Sequence, residues 1–148
     1  MTTIDLVDEK IIQLLSQDAW RSSEALARQI GVSSATVRRR IKRLVKSGTL
    51  RVGAFVDPAK VGQSLGALVA LGVPHDKVER VAEELSTLPE VKWVASATGR
   101  FDILVFVRLA STDELANFVQ NKLPKLEAVR SSETFVCLHV HKGYYTPL

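Results

Sequence analysis

An α+β fold in two units is what this sequence predicts, on three observations. The first third carries apolar stripes at helical spacing, separated by Ser and Gly. The last two thirds alternates short apolar runs with helix-period segments, and that pattern occurs twice. Charge divides at the same place: residues 1–50 hold nine Lys/Arg and five Asp/Glu, whereas residues 51–148 hold eleven of each, so the formal net charge of +4 belongs to the first third.

The stretch IDLVDEKIIQLLSQ predicts a helix, capped by Asp5, with Val7, Ile11, Leu14 and Leu15 at i, i+4, i+7 and i+8. SSEALARQIG predicts a second, short helix. Ser22 or Ser23 caps it, Leu26, Ala27 and Ile30 turn inward, and Gly31 stands just past its end. Ser33 or Ser34 then caps a third helix that stops at Gly48, with Val37, Ile41, Leu44 and Val45 as its apolar stripe. Six of the nine residues Arg38–Lys46 are Lys or Arg, with no acid among them. With the stripe buried, Arg38, Arg39, Lys42, Arg43 and Lys46 fan across the opposite side. Like charges four apart repel by about a few tenths of a kcal/mol per pair, a cost that a polyanion relieves.

A short helix, a tight Gly turn and a second helix with an exposed polar face make a helix-turn-helix pattern. The second helix of that motif enters the DNA major groove, and its first residues meet base edges. Here those residues are Ser33, Ser34, Ala35, Thr36, Arg38 and Arg39. Arg takes guanine in bidentate fashion, while Ser and Thr serve bases or phosphates. Lys42, Arg43 and Lys46 lie further along, placed for phosphates, and Arg40 completes the candidate set. The expected partner is double-stranded DNA. The bland alternative, a solvated helix face, does not account for the stripe, the Gly turn and the Ser caps occurring together.

We expect a winged-type helix-turn-helix domain over residues 1–50 and a strand and hinge linker over 51–63. TLRVGAFVDP reads as a strand, and Pro58 and Gly62 as breakers. In the last two thirds, SLGALVALGVP reads as a strand buried on both faces. HDKVERVAEELSTL follows as a helix with Val78, Val81, Ala82, Leu85 and Leu88 inward. VKWVASATG is expected as a strand with Val91, Trp93, Ala95 and Ala97 on one face. FDILVFVRLAS, TDELANFVQNKL and AVRSSETFVCLHV then give strand, helix and strand, with Thr112 as the helix cap and Leu115, Phe118, Val119 and Leu123 buried. LPEVKWV (88–94) and LPKLEAV (123–129) match at an offset of 35 residues. Two βαβ halves predict a four-stranded, ferredoxin-like βαββαβ domain over residues 64–148 with both helices on one face. The other face is apolar as well, since both alternating sets of ILVFV are, so we expect it to be covered in a homodimer.

An apolar content of 46% supports a packed core. No apolar run is long enough to span a bilayer, the N-terminus lacks a signal-peptide pattern, and the single Cys137 cannot form an internal disulfide. The expectation is a cytoplasmic protein with no membrane partner. No catalytic motif is present, so neither an enzyme nor a cofactor is expected. His139 and His141 stand two apart beside Cys137 on a predicted strand. That spacing can make half a metal site, but strand alternation alone accounts for it, and no metal is assigned.

LVDEKIIQLLSQDA, LARQIGVSSATVRRRIKRLVKSG and ATGRFDILVFV, in that order and spacing, resemble the Lrp/AsnC (leucine-responsive, feast/famine) family of transcriptional regulators over nearly the whole chain. The resemblance implies dimers formed through the sheet faces, often assembled into octamers or other higher oligomers. It also implies a C-terminal domain that binds an amino acid or related metabolite. The family's T-G-x-x-D loop corresponds to Thr98, Gly99, Arg100 and Asp102, and a hydroxyl pair on the last strand to Ser132 and Thr134. A Gly loop and Arg100 suit a carboxylate and Asp102 an ammonium. The bland reading is that Gly99 makes the turn and Asp102 supports it. The sequence departs from the family at Trp20–Arg21, where the family commonly carries Arg. Two other functions compete: a siroheme-decarboxylase-like tetrapyrrole enzyme, which would want His in the loop where SATGRFD has none, and an architectural DNA-binding protein of low sequence preference.

Overall fold

The computed structural model describes residues 4–143 and 146–147, and the aromatic pair Tyr144–Tyr145 lies outside the described residues. The chain divides into two units, Met1–Gly53 and Ala54–Leu148.

The first unit is three helices, α1 (Leu6–Gln17), α2 (Ser23–Ile30) and α3 (Ser34–Lys46). Each begins at a side-chain cap: the Asp5 carboxylate accepts from the Val7 and Asp8 N–H groups, Ser22 Oγ from Ala25 and Ser33 Oγ from Thr36. Gly31 ends α2 in the left-handed region (φ 85°), which lets the chain turn into α3 within three residues. Ile11, Leu15, Leu26, Ala27, Val37 and Leu44 form the core. Val45, expected on the buried stripe, is largely exposed. The unit contains no strand among its described residues, and the strand expected over residues 49–58 shrinks to β1 (Phe55–Val56) in the second unit.

One member of the first core is an acid. Asp8 follows the spacing of Ile11 and Leu15 and is fully buried. Its Oδ2 accepts from the Asp5 N–H at 3.2 Å, closing a capping box. Its Oδ1 accepts from Arg40 Nη1 at 3.0 Å, and its Oδ2 also accepts from Arg43 Nη2. Arg40 bonds Asp5 as well, at 2.6 Å. Burial pushes the Asp8 carboxyl up. The Asp5 N–H and the two guanidinium groups outweigh it, and the group stays below its ordinary range. The Arg40 hydrogen bond, with the Asp8 N–H, holds Asp5 down at about 2.

The second unit runs β1, a 3₁₀ turn at Pro58–Val61, β2 (Leu65–Gly72), α4 (Val78–Ser86), β3 (Val91–Ser96), β4 (Ile103–Leu109), α5 (Thr112–Asn117), β5 (Ser131–Cys137) and β6 (Thr146–Pro147). Its main sheet is antiparallel throughout, in the order β3-β4-β2-β5, the ferredoxin-like βαββαβ arrangement, and β1 pairs with β6 apart from it. Ala67, Val69 and Leu71 of β2 and Ile103, Val105, Val107 and Leu109 of β4 share one core with Val81, Leu85, Leu115, Phe118 and Leu123, so both helices cover one face.

Three local expectations change. A bulge at Lys92 inserts an extra residue between Val91 and Trp93. Val91 therefore opposes Val107 on the helix side while Trp93 and Ala95 face the other way, and the four residues expected on one face are split. The cap of α5 is Ser111, whose Oγ accepts from Glu114, and not Thr112. After Asn117 the helix widens to a π-turn over Phe118–Lys122 and then a 3₁₀ turn over Leu123–Lys125. The repeat is a shared turn: Val91 N–H donates to Leu88 O and Leu126 N–H to Leu123 O, each at 3.0 Å and 35 residues apart.

Because the folded pKa values of Asp5 and Asp8 are depressed, their pairing stabilises the first unit above the ordinary carboxylate value of 3.8 and is lost as pH falls through the folded values. Hydrogen-exchange protection factors of α1 amides should therefore hold constant down to about pH 4 and fall between about pH 4 and about pH 2. Constant protection across that window would show that the pairing adds nothing.

Candidate functional site

The side chains of α3 separate into a flank and a ridge. At about 100° per residue, Arg39, Lys42 and Lys46 fall within about 60° of one another, opposite the buried Val37 and Leu44. All three are exposed, and none takes part in an ion pair among the described residues. Arg38 leans toward α2, where its Nη1 meets Glu24 Oε1 at 2.9 Å on the surface. The Glu24 carboxyl sits below its ordinary range, first through its own backbone N–H and then, despite partial desolvation, through the charge of Arg38. Arg40 and Arg43 lie on the flank toward α1, their side chains 21% and 46% exposed, both bound to Asp8.

At the front of the helix, Ser33 and Thr36 engage one another. Ser33 Oγ accepts from Thr36 N–H at 3.1 Å, and the two hydroxyls are 2.9 Å apart. Ser34 begins the helix, half-buried. No acid occupies the first turn, so the unpaired N–H groups and the positive end of the helix dipole meet solvent unopposed, as an approaching phosphate requires. This is a helix face with three exposed cations and a polar leading end that carries no acid.

Sequence reasoning grouped Arg38, Arg40 and Arg43 with the other cations and missed Glu24 as the partner of Arg38, and Asp5 and Asp8 as the acids that hold Arg40 and Arg43. The signal was present. Arg40 is three residues after Val37 and four before Leu44, and Asp8 is three before Ile11 and seven before Leu15, so both belong to buried stripes.

In the second unit, Thr98, Gly99, Arg100 and Asp102 occupy the loop between β3 and β4. Gly99 is in the left-handed region (φ 128°) and a Cβ there meets nothing within 4 Å, so the backbone conformation alone calls for glycine. Asp102 fastens the loop to β2: its N–H donates to Leu71 O at 2.9 Å, its Oδ2 accepts from Val73 N–H at 2.9 Å, and its carbonyl accepts from Ala97 at 2.8 Å. Thr98, Gly99 and Arg100 are exposed. Ser132 pairs with Leu71 and Thr134 with Val69, which places both hydroxyls on the helix side of β5. Arg100 reaches Glu133 of the opposite face, at 3.6 Å, and stacks its guanidinium 5.2 Å from the Phe101 ring. The loop thus meets Glu133, a residue the sequence did not single out.

Hollows of about 350 and 470 Å³ open beside α4 and beside Lys122, and neither is lined by the loop. The sheet face away from the helices carries Leu68, Leu104 and Phe106 between Trp93 and Phe135, the last two 49% and 47% exposed. His139 and His141 fall beyond β5, their ring centroids 4.7 Å apart, and no cluster of three metal-ligating side chains occurs among the described residues. No helix among those residues is long and apolar enough to cross a membrane.

Comparison with known proteins matches residues 4–45 to the AsnC-type helix-turn-helix domain and residues 66–147 to the Lrp/AsnC ligand binding domain. An uncharacterised HTH-type transcriptional regulator of Pyrococcus furiosus is 38% identical over 96% of this chain and 97% of its own length. Among solved structures, AsnC of E. coli superposes with a TM-score of 0.83 at 26% identity over 94% of this chain and 95% of that one. A transcriptional regulator of Neisseria meningitidis, solved as a complex with L-Met, gives 0.83 at 24% identity over 95% and 93%.

Proposed function

The chain belongs to the Lrp/AsnC family of transcriptional regulators, with a helix-turn-helix DNA-binding domain and a ligand-binding domain, and from that premise we propose how its own residues divide the work. The observation that carries the proposal is the ridge of Arg39, Lys42 and Lys46, cations without acid partners among the described residues, on an otherwise neutralised helix. In this reading α3 lies in the major groove of double-stranded DNA, Arg39 and Arg38 read bases, Ser33, Ser34 and Thr36 approach the leading edge, and Lys42 and Lys46 meet phosphates. Residues 51–63 link the two domains, the protein works in the cytoplasm, and it performs no catalysis.

The sensor reading places an amino acid or related metabolite against Thr98, Gly99 and Arg100, with Arg100 and Glu133 offering opposite charges to its carboxylate and ammonium, while Ser132 and Thr134 stand on the other face of β5. Asp102 shapes that loop. A loop this exposed needs a second surface to enclose a ligand, which favours a site between subunits. The regulator from Neisseria meningitidis in complex with L-Met supports the amino-acid class. The apolar face with Trp93, Phe106 and Phe135 suits a two-fold dimer, and dimers suit paired half-sites and further assembly to an octamer.

Binding the purified protein to fragmented genomic DNA at fixed moderate salt, then sequencing what it retains, should enrich a few sites with two-fold symmetry. Uniform retention would instead favour an architectural role, and no retention would remove the DNA assignment. On an enriched site Arg39→Ala should cost about 1–3 kcal/mol and relax base preference, whereas Lys46→Ala should weaken all sequences alike and reduce the salt slope by about 1. Phe135→Asp should shift the assembly toward monomer in light scattering, and an unchanged mass would sink the sheet-face dimer. In calorimetric titrations with single amino acids, Arg100→Ala should abolish the heat of whichever one binds; undiminished heat would place the site elsewhere.

A further inference from the structure

We propose that Asp8 is a positioning residue for DNA binding: by holding Arg40 and Arg43 on the flank of α3, it sets how many of that helix's cations meet phosphate. The inference rests on the reading that the outer ridge of α3 faces DNA. Two carboxylates, Asp5 and Asp8, face two guanidinium groups, so this cluster adds no net charge to a helix that carries six cations. Arg43 does not trade Asp8 for a phosphate when one approaches. Asp8 is wholly buried, and withdrawing Arg43 would leave two carboxylates, Asp5 and Asp8, sharing the single guanidinium of Arg40, an excess of negative charge out of reach of water. A guanidinium committed in this way releases no counterion when DNA binds, and the salt dependence of affinity counts only cations that do. Arg40 is held twice, by Asp5 at 2.6 Å and by Asp8 at 3.0 Å, so Asp5 retains it when Asp8 loses its charge. Arg43 depends on Asp8 alone among the described acids. Neutralising Asp8 therefore releases one cation, Arg43.

The test uses the full chain, a random-sequence duplex, fluorescence anisotropy and a series of KCl concentrations, with helical content checked by circular dichroism. Asp8→Asn should steepen the plot of log affinity against log salt by about 1 and tighten binding at moderate salt roughly threefold to tenfold. Arg43→Gln should leave the wild-type slope unchanged, and Asp8→Asn with Arg43→Gln should return to it. Lys46→Ala serves as the control for the ridge and should flatten the slope by about 1. A wild-type slope in folded Asp8→Asn, with Lys46→Ala flattened, overturns the proposal while the ridge stands. An unchanged slope in Lys46→Ala removes the groove reading itself. Should Asp8→Asn fail to fold, Arg43→Gln decides alone: a slope flattened by about 1 shows that Arg43 meets phosphate in the native protein, and the proposal falls.

Discussion

A single buried carboxylate organises the DNA-binding unit. Three short helices, one of only eight residues, enclose a core of six apolar side chains. A core this small fixes helix angles weakly, because hydrophobic contact has no direction. Asp8 supplies direction. It joins the start of α1 to the middle of α3 through hydrogen bonds of defined geometry, with both its oxygens engaged. The same contact decides which faces of α3 remain for a partner. Architecture and electrostatics are thus settled at one atom group, and the exposed Arg38–Glu24 pair adds a lesser restraint on the other flank.

The second unit works on different terms. Its sheet is held by a core on one face, and its other face leaves aromatic side chains uncovered. Its loop chemistry is secured by backbone hydrogen bonds around Asp102, so Thr98, Gly99 and Arg100 are presented on a frame fixed at both ends. Small residues on β2 keep the open face low: a Cβ on Gly66 would approach Phe106 to 3.1 Å and Arg108 to 3.3 Å.

Much of this architecture was legible in the sequence because it follows from local periodicity. Helix starts at Asp5, Ser22 and Ser33, the stop at Gly31 and the 35-residue repeat depend on neighbours in the chain. What escaped depends on side chains distant in sequence. The run Arg38–Lys46 holds no acid, and its neutralising acids come from α1 and α2, 14 to 35 residues away. The bulge at Lys92 escaped because alternation counts residues evenly and a bulge adds one. The loop's meeting with Glu133 required knowing that β5 lies two strands from β4, with β2 between them.

The Lys92 bulge also bears on how these molecules avoid one another. β3 is an outermost strand of the main sheet, and an outermost strand offers unpaired backbone groups to any strand that drifts past. An added residue there breaks the spacing of those groups, and a lysine at the same point brings charge to the rim. End-to-end growth of sheets into fibres is thereby obstructed at β3. The broad apolar face carries no such interruption, so the two surfaces of the sheet differ in how readily a second molecule could meet them.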